Sequence, residues 1–244
     1  MTQIVPLNKV AHRSLTVDGR ASAAYGDSRR FVQVVVNEFP HLLVHYPILF
    51  AKDANTGRFY CGAMLGFDED ENLFLEQWRD REFYRPLSLQ RAPFYTHGDE
   101  LAIDLDDPRV GAEGGQPLFS EQGQPSRYLQ RIIWAFQDLQ AGIEQTRIFI
   151  ARLLELNLIE PIDIEVEFED GTLRHCDGLY TINQDTLARL TDTVVVELFR
   201  RGYLALIHMM INSLKQVRVM ARTKNARLLK KTEGLVSAQG AIGV

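Results

Sequence analysis

Residues 162–171 read Ile-Asp-Ile-Glu-Val-Glu-Phe-Glu-Asp-Gly, and this stretch decides the fold class. Apolar and acidic side chains alternate along it, and a period of two is typical of a β-strand with one buried face. The Asp170-Gly171 pair predicts a two-residue hairpin turn, because glycine readily adopts the left-handed backbone that such turns require. Pairing outward from that turn places Val166 opposite His175. We therefore expect a β-hairpin with His175 on its apolar face.

Helical periodicity flanks this hairpin on both sides. Apolar residues recur at three- and four-residue spacing over 126–157, which predicts a long amphipathic helix that could bend or break at Gly142. The same spacing predicts a last helix over 203–230. We interpret 126–230 as a helix-rich half and 231–244 as a flexible tail.

Strand signals dominate the first half of the chain. Two apolar runs, 48–52 and 58–65, flank a short glycine-containing loop and predict a second hairpin. Residues 31–105 are strand-rich overall, whereas prolines and glycines over 106–125 indicate a loop. Residues 1–30 are interpreted as an extended arm. The prediction is one α+β domain, with a small antiparallel sheet, a long helix, a β-hairpin and a C-terminal helical group.

The composition bounds the class of protein. The chain has 244 residues, of which 45% are hydrophobic and 24% charged, as in soluble globular proteins. No stretch approaches the ~20 apolar residues of a membrane-spanning helix, and we expect a cytoplasmic protein. Two cysteines exclude a disulfide framework and a four-cysteine zinc site. The common hydrolase, nucleotide-binding and metalloprotease motifs are absent, so whether the protein is an enzyme stays open.

Positive charge is concentrated at the C-terminus. Residues 215–244 hold seven basic residues against Glu233 alone, although the whole chain has a net charge of −5. Such a helix could contact nucleic acid or an acidic membrane surface. It lacks interleaved aromatic residues, which disfavours a single-stranded nucleic-acid partner. We favour a helix that is solvated, or one that docks on the acidic body of the protein or on a partner.

Histidines offer a candidate metal site. His41 and His45 are four residues apart, a spacing that places two imidazoles on one helical face. His97 and Asp99 have the spacing of the His-x-Asp pair found in iron sites with two histidines and one carboxylate. With iron or another divalent metal, these residues would make the protein a metal-dependent oxygenase or oxidoreductase. The alternative interpretation is two surface or capping histidines and a turn, with no cofactor.

The segment 78–95 has the composition of a binding pocket. Arginine guanidinium groups beside aromatic rings can bind a carboxylate or a phosphate. The alternative is a small core covered by arginine stems. The candidate ligand-binding residues are Trp78, Tyr84, Arg85, Arg91, Phe94 and Tyr95.

Short strings along most of the chain together resemble the SapC family of bacterial proteins. They include Leu7-Asn8-Lys9, Glu38-Phe39-Pro40, Tyr46-Pro47-Ile48-Leu49-Phe50, Leu65-Gly66, Glu71-Asn72-Leu73-Phe74, Trp78, Tyr84-x-Pro86, Arg91-x-Pro93-Phe94, Gly178-Leu179-Tyr180-x-Ile182 and Gly202-x-Leu204. Family members tend to have tyrosine where this chain has Ala92, so no role is transferred to that position.

The resemblance implies a link to bacterial surface-layer proteins and their export, and it transfers no catalytic residues. We therefore expect a non-catalytic binding or accessory protein for a peptide or protein partner in surface-protein export or modification. A homo-oligomer is compatible with this expectation. The metal-dependent enzyme and the nucleic-acid-binding protein are the alternatives.

Overall fold

The computed structural model describes residues 3–79, 83–98 and 100–240, with side chains placed for all of these except 79, 97 and 231–240. The elements of the first half are β1 (Ile4–Pro6), β2 (Thr16–Val17), β3 (Phe31–Gln33), α1 (Phe39–Leu42), β4 (Ile48–Lys52), β5 (Phe59–Met64), α2 (Leu87–Gln90), β6 (Phe94–His97), β7 (Glu100–Asp104) and β8 (Gln116–Pro117). Those of the second half are α3 (Arg127–Glu155), β9 (Ile159–Glu167), β10 (Leu173–Ile182), α4 (Gln184–Ala188), α5 (Asp192–Arg200), α6 (Tyr203–Ser213) and α7 (Lys215–Gly240).

The two predicted hairpins join into one antiparallel sheet. Its strand order is β3-β5-β4-β10-β9, so β10 pairs with β4 across more than a hundred residues of sequence. A smaller sheet has the order β1-β7-β6, and β2 pairs with β8. The predicted α+β class, with its antiparallel sheet, long helix, hairpin and C-terminal helices, is confirmed.

The predicted register of the β9–β10 hairpin is wrong by one residue. Gly171 has a φ of 77° and donates its amide to the carbonyl of Phe168, which is the geometry of a three-residue loop. A shift of one residue moves every side chain of β10 to the other face. His175 therefore lies opposite Glu165 instead of Val166, on the exposed face, with its Nδ1 3.2 Å from the Glu165 carboxylate.

The helix α3 serves two hydrophobic cores. Its first turns pack Leu129 and Ile132 against the smaller sheet, and Phe149 and Leu153 near its end are buried against the larger sheet. The predicted long helix is continuous through Gly142, the position where the sequence allowed a bend or a break. A Cβ atom at Gly142 would lie 2.6 Å from Val35, so the glycine permits close packing.

The N-terminal segment is part of the fold, which corrects its interpretation as an extended arm. The strand β1 pairs with β7, and Val17 in β2 is fully buried in the smaller core. The carboxylates of Asp18 and Asp27 are also buried. This segment therefore packs against the rest of the fold.

The predicted last helix is two helices. The helix α6 ends at Ser213, whose hydroxyl accepts a hydrogen bond of 2.8 Å from the amide of Ile48 and donates to Met210. After Leu214, α7 continues to Gly240, beyond the end that the sequence predicted. Residues 241–244, the end of the predicted tail, lie outside the described part of the chain.

Candidate ligand-binding site

A cavity of about 900 Å³, here called the first cavity, opens between the N-terminal segment, Trp78 with residues 83–90, and the first turns of α3. Three of the six predicted site residues, Trp78, Tyr84 and Arg85, line it. Its remaining lining residues are Asp18, Gly19, Arg20, Ala21, Ser22, Tyr25, Phe83, Gln90, Gln116, Tyr128, Arg131 and Ile132. Aromatic rings and guanidinium groups thus meet in one cavity.

Arg85 is fixed in the wall of this cavity. Its guanidinium donates to the carbonyls of Gly19 (3.0 Å) and Leu89 (2.9 Å) and to the Asp27 carboxylate (3.3 Å), and it lies over the ring of Trp78. The side chain is only 14% exposed. Burial lowers the pKa of the Arg85 guanidinium, and the charge of Asp27 opposes that change. Among the described residues, its Nε–H group has no hydrogen-bond partner.

Two buried aspartates organise the positive charge. Asp27 accepts hydrogen bonds from Arg109 (2.8 Å) and from the amide of Ser22 (3.0 Å), in addition to Arg85. Asp18 forms a bidentate ion pair with Arg20, and the hydrogen bonds from Arg20 lower the pKa of Asp18 to about 2. Asp18 is therefore ionised at neutral pH, and Asp27 is paired with both Arg85 and Arg109.

Tyr128 of α3 brings a second unpaired donor to the cavity. The residue is 6% exposed, and within the described ranges its hydroxyl has no hydrogen-bond partner. Burial raises the pKa of Tyr128 to about 12, so the hydroxyl stays protonated and can donate. Its ring edge packs on Gly19, where a Cβ atom would lie 2.7 Å away.

A buried carboxylate supports the segment 84–87 from below. Glu38 accepts hydrogen bonds from the amides of Val35 (3.0 Å) and Leu87 (2.8 Å) and from the hydroxyl of Tyr84 (3.2 Å). Burial raises the pKa of Glu38 above its ordinary value. Tyr46 donates to the carbonyl of Tyr84, so hydrogen bonds hold both the backbone and the side-chain hydroxyl of Tyr84.

The other predicted site residues lie elsewhere. Arg91 and Tyr95 line a second cavity of about 680 Å³, whose far wall is formed by Phe136, Leu139 and Ile143 of α3 among others. The guanidinium carbon of Arg91 lies 5.4 Å from the centroid of the Tyr95 ring. Phe94 is fully buried in the smaller core, so its role is packing. The helix α2 contributes to both cavities, with Gln90 in the first and Ser88 in the second.

The sequence did not reveal the wall formed by residues 18–25. No hydrophobic period marks this segment, and its contacts with Arg85 and Tyr128 join residues far apart in the chain. Only the cluster of Asp18, Arg20 and Tyr25 could have suggested an ordered site.

The candidate metal ligands have aromatic neighbours. His41 stacks on Tyr84 with ring centroids 5.0 Å apart, and His45 packs 4.4 Å from the Phe83 ring. Burial lowers the pKa of His45. Within the described residues, no group of three or more histidine, cysteine, aspartate or glutamate side chains is placed to hold a metal ion. Asp99 and the side chain of His97 lie outside those residues.

Part of the basic charge of α7 is used within the fold. The ammonium group of Lys224 is buried and lies 2.5 Å from Asp68 and 3.1 Å from Glu71. Arg227 donates to the carbonyl of Leu73 at 2.7 Å. The helix thus docks on acidic residues of the first half, whereas Lys215, Arg218, Arg222 and Lys230 remain exposed.

Comparison with known proteins gives one match. The family model for SapC covers residues 7–220, from just after β1 to the first turns of α7. No curated protein and no solved structure matches the chain. Across the described residues, no helix has the length and apolar character needed to cross a membrane. Because the family model covers most of the sequence, the chain belongs to the SapC family.

Proposed function

We propose that the protein is a non-catalytic binding or accessory protein of the bacterial cytoplasm. Its partner is a peptide or a segment of a protein in surface-protein export or modification, which the family name suggests. The observation that carries the peptide-binding part is that both cavities lie along one face of α3, with Ile132 in the first and Phe136 in the second.

The length of this face suits an extended peptide. From Tyr128 to Ile143, α3 rises by about 22 Å at roughly 1.5 Å per residue. An extended peptide covers that length with about six or seven residues at roughly 3.3 Å each. The first cavity supplies arginines beside aromatic rings, and the second supplies Arg91 above an apolar floor. A peptide with one acidic and one apolar side chain fits this pair of cavities.

The chemistry of the lining favours binding over catalysis. The described lining residues of the two cavities include no histidine or cysteine, and the carboxylate among them, Asp18, is already paired with Arg20. Hydrogen bonds to Gly19, Asp27 and Leu89 hold Arg85, so it can orient a ligand without rearranging.

A peptide selection tests the proposal. A phage-displayed library of random peptides is panned on the wild-type protein, and the enriched peptides are then measured against Trp78→Ala and Arg91→Ala. We expect each substitution to weaken binding by at least about tenfold, the equivalent of about 1.4 kcal/mol. Arg147→Ala is the matched control, because Arg147 is an exposed arginine of α3 outside both cavities.

The proposal fails if no peptide is enriched, or if the enriched peptides bind both variants as well as they bind the wild type.

The two alternatives have tests of their own. Stoichiometric metal that is lost from His41→Ala/His45→Ala would favour the oxidoreductase. DNA binding that weakens steeply with salt would favour the nucleic-acid-binding protein.

A further inference from the structure

Two buried donors in the wall of the first cavity lack an acceptor. Within the described part of the chain, neither the Nε–H of Arg85 nor the hydroxyl of Tyr128 has a hydrogen-bond partner. Buried donors are almost always satisfied, and an unpaired one lowers stability. Both residues line the same cavity, so a molecule bound there would be the source of the missing acceptors.

The charge around the cavity selects the kind of acceptor. Of the arginines that line the cavity, Arg20 is paired with Asp18, and Arg85 shares Asp27 with Arg109, which is also paired with Asp107. The third, the exposed Arg131, forms no ion pair within the described residues. One positive charge is left over, which a group with a single negative charge would neutralise. A phosphate monoester carries ≈ −1.5 to −2 at pH 7 and would leave excess negative charge beside Asp18.

We infer that the first cavity binds a carboxylate that is attached to an aromatic or apolar group. This inference rests on the proposed function and names the ligand class of the same site. Arg85 Nε–H and the Tyr128 hydroxyl donate to the carboxylate oxygens, and charge-assisted hydrogen bonds of this kind are among the stronger ones. The rings of Trp78 and Phe83 provide the apolar wall for the neighbouring group.

Tryptophan fluorescence can test this directly. The chain has two tryptophans, and Trp134 is exposed on α3, so Trp134→Phe leaves Trp78 in the cavity as the reporter. The probes are N-acetylphenylalanine, its amide, N-acetyl-aspartyl-phenylalanine amide and inorganic phosphate. We expect saturable binding of at least one of the two carboxylates and none of the amide. The first carboxylate represents a C-terminus and the second an acidic side chain, which distinguishes the two sources.

A conservative variant separates a binding role from a structural one. Tyr128→Phe removes only the unpaired hydroxyl, so we expect at least tenfold weaker carboxylate binding without loss of thermal stability. Tyr180→Phe, on the large sheet, is the matched control. Equal binding of carboxylate and amide, tighter binding of inorganic phosphate, or unchanged affinity of Tyr128→Phe would overturn the inference. Peptides enriched by panning would still support the proposed function in that case.

A second inference comes independently from α5. One face of this helix is exposed from end to end, with its residues at four-, seven- and eight-residue spacing. Phe199 is 73% exposed and Val196 is 46% exposed, which is unusual for large apolar side chains next to each other on a helix. Asp192 lies four residues before Val196 and Arg200 four residues after it.

This face is complementary in charge to itself. If two copies of α5 pack antiparallel about a two-fold axis at Val196, Asp192 of each copy lies near Arg200 of the other. Neither residue forms an ion pair within the described part of the chain. We propose that a second copy of this chain docks here. One nine-residue helix buries less than the ~800 Å² per partner of a standard interface, so the dimer is weak.

Charge reversal tests this dimer. Sedimentation over a concentration series is expected to show a wild-type dimer at high concentration. Asp192→Arg and Arg200→Asp should each yield monomers, because like charges then meet, whereas the double variant should dimerise again. Circular dichroism confirms folding, since both residues are exposed. A monomeric wild type at every concentration, or a double variant that stays monomeric, would overturn this inference.

Discussion

Single buried residues hold the candidate site in shape. Glu38 connects the turn before α1 with Tyr84 and Leu87, and its two carboxylate oxygens accept three hydrogen bonds. In the sequence, Glu38 stands out only as part of the string Glu38-Phe39-Pro40. A buried carboxylate with long-range donors cannot be recognised from the sequence, because Leu87 is far from it in the chain.

Glu38→Gln should destabilise the protein and change its pH dependence. The amide group would direct its own donor toward a backbone N–H, and we expect the free energy of unfolding to fall by about 1–3 kcal/mol. Burial raises the pKa of Glu38 in the folded state, so the folded protein holds this proton more tightly than the unfolded chain. The contribution of Glu38 to stability therefore decreases as pH rises through the raised pKa.

Urea unfolding at pH 5 and pH 7 measures this effect. The stability gap between the wild type and Glu38→Gln should be larger at pH 5 and narrower at pH 7. Glu121→Gln, an exposed carboxylate, is the control and should show neither effect. A gap that is constant or that widens with pH would show that Glu38 is not protonated more readily in the folded state.

For the helices and strands, the sequence predicted those features that depend on interactions between residues close together in the chain. Ser126 and Asn183 cap α3 and α4 with hydrogen bonds of 3.2 and 2.7 Å to backbone amides, and the alternation over β9 predicted its buried face. The pairing of β10 with β4 depends on tertiary packing and had no local signal. The addition of Glu169 to the predicted Asp170-Gly171 loop was enough to reverse the predicted side of His175.

The packing of α3 on Val35 gives an element-scale prediction. In an exposed helix, Gly→Ala stabilises by about 1 kcal/mol, but a Cβ atom at Gly142 would lie 2.6 Å from Val35. We expect Gly142→Ala to destabilise the protein by about 1–3 kcal/mol through overpacking. Val35→Ala alone should also destabilise it, because it removes buried methyl groups.

The double variant Val35→Ala/Gly142→Ala should be more stable than the sum of the two single effects predicts. The smaller side chain at 35 makes room for the new methyl group, and the helix keeps the benefit of alanine. Denaturant unfolding of the four proteins in this cycle measures the coupling. Additive effects would mean that Val35 is not the residue that excludes a side chain at position 142.

At the scale of the whole molecule, charge connects the two halves. The sequence indicated an acidic body and a basic last helix. The ion pairs of Lys224 with Asp68 and Glu71 attach that helix to the first half of the chain. The candidate cavities could not be predicted as such, because each is built from segments distant in the chain. The segment 78–95 supplies residues to both cavities, but the partner walls come from the N-terminal segment and α3.

The ion pairs of Lys224 lead to a prediction about the attachment of α7. Lys224 is 7% exposed, whereas Asp68 is 43% exposed, so the two sides of the pair differ in their access to water. Burial raises the pKa of Asp68, but hydrogen bonds from Lys224 and Arg174 outweigh it, and the pKa lies below its usual value. Asp68 without Lys224 keeps both Arg174 and solvent. Lys224 without its carboxylates would be an isolated buried charge.

Removing the acids should therefore cost more than removing the base. We expect Lys224→Met to lower the free energy of unfolding by about 1–2 kcal/mol, and Asp68→Asn/Glu71→Gln by about 3–5 kcal/mol. Hydrogen exchange of the α7 amides should increase in the same order, because the ammonium can regain water only if the helix detaches. Lys230→Met, at an exposed lysine of the same helix, is the control. The reverse order would mean that the carboxylates, and not the ammonium group, are the charges that depend on this contact.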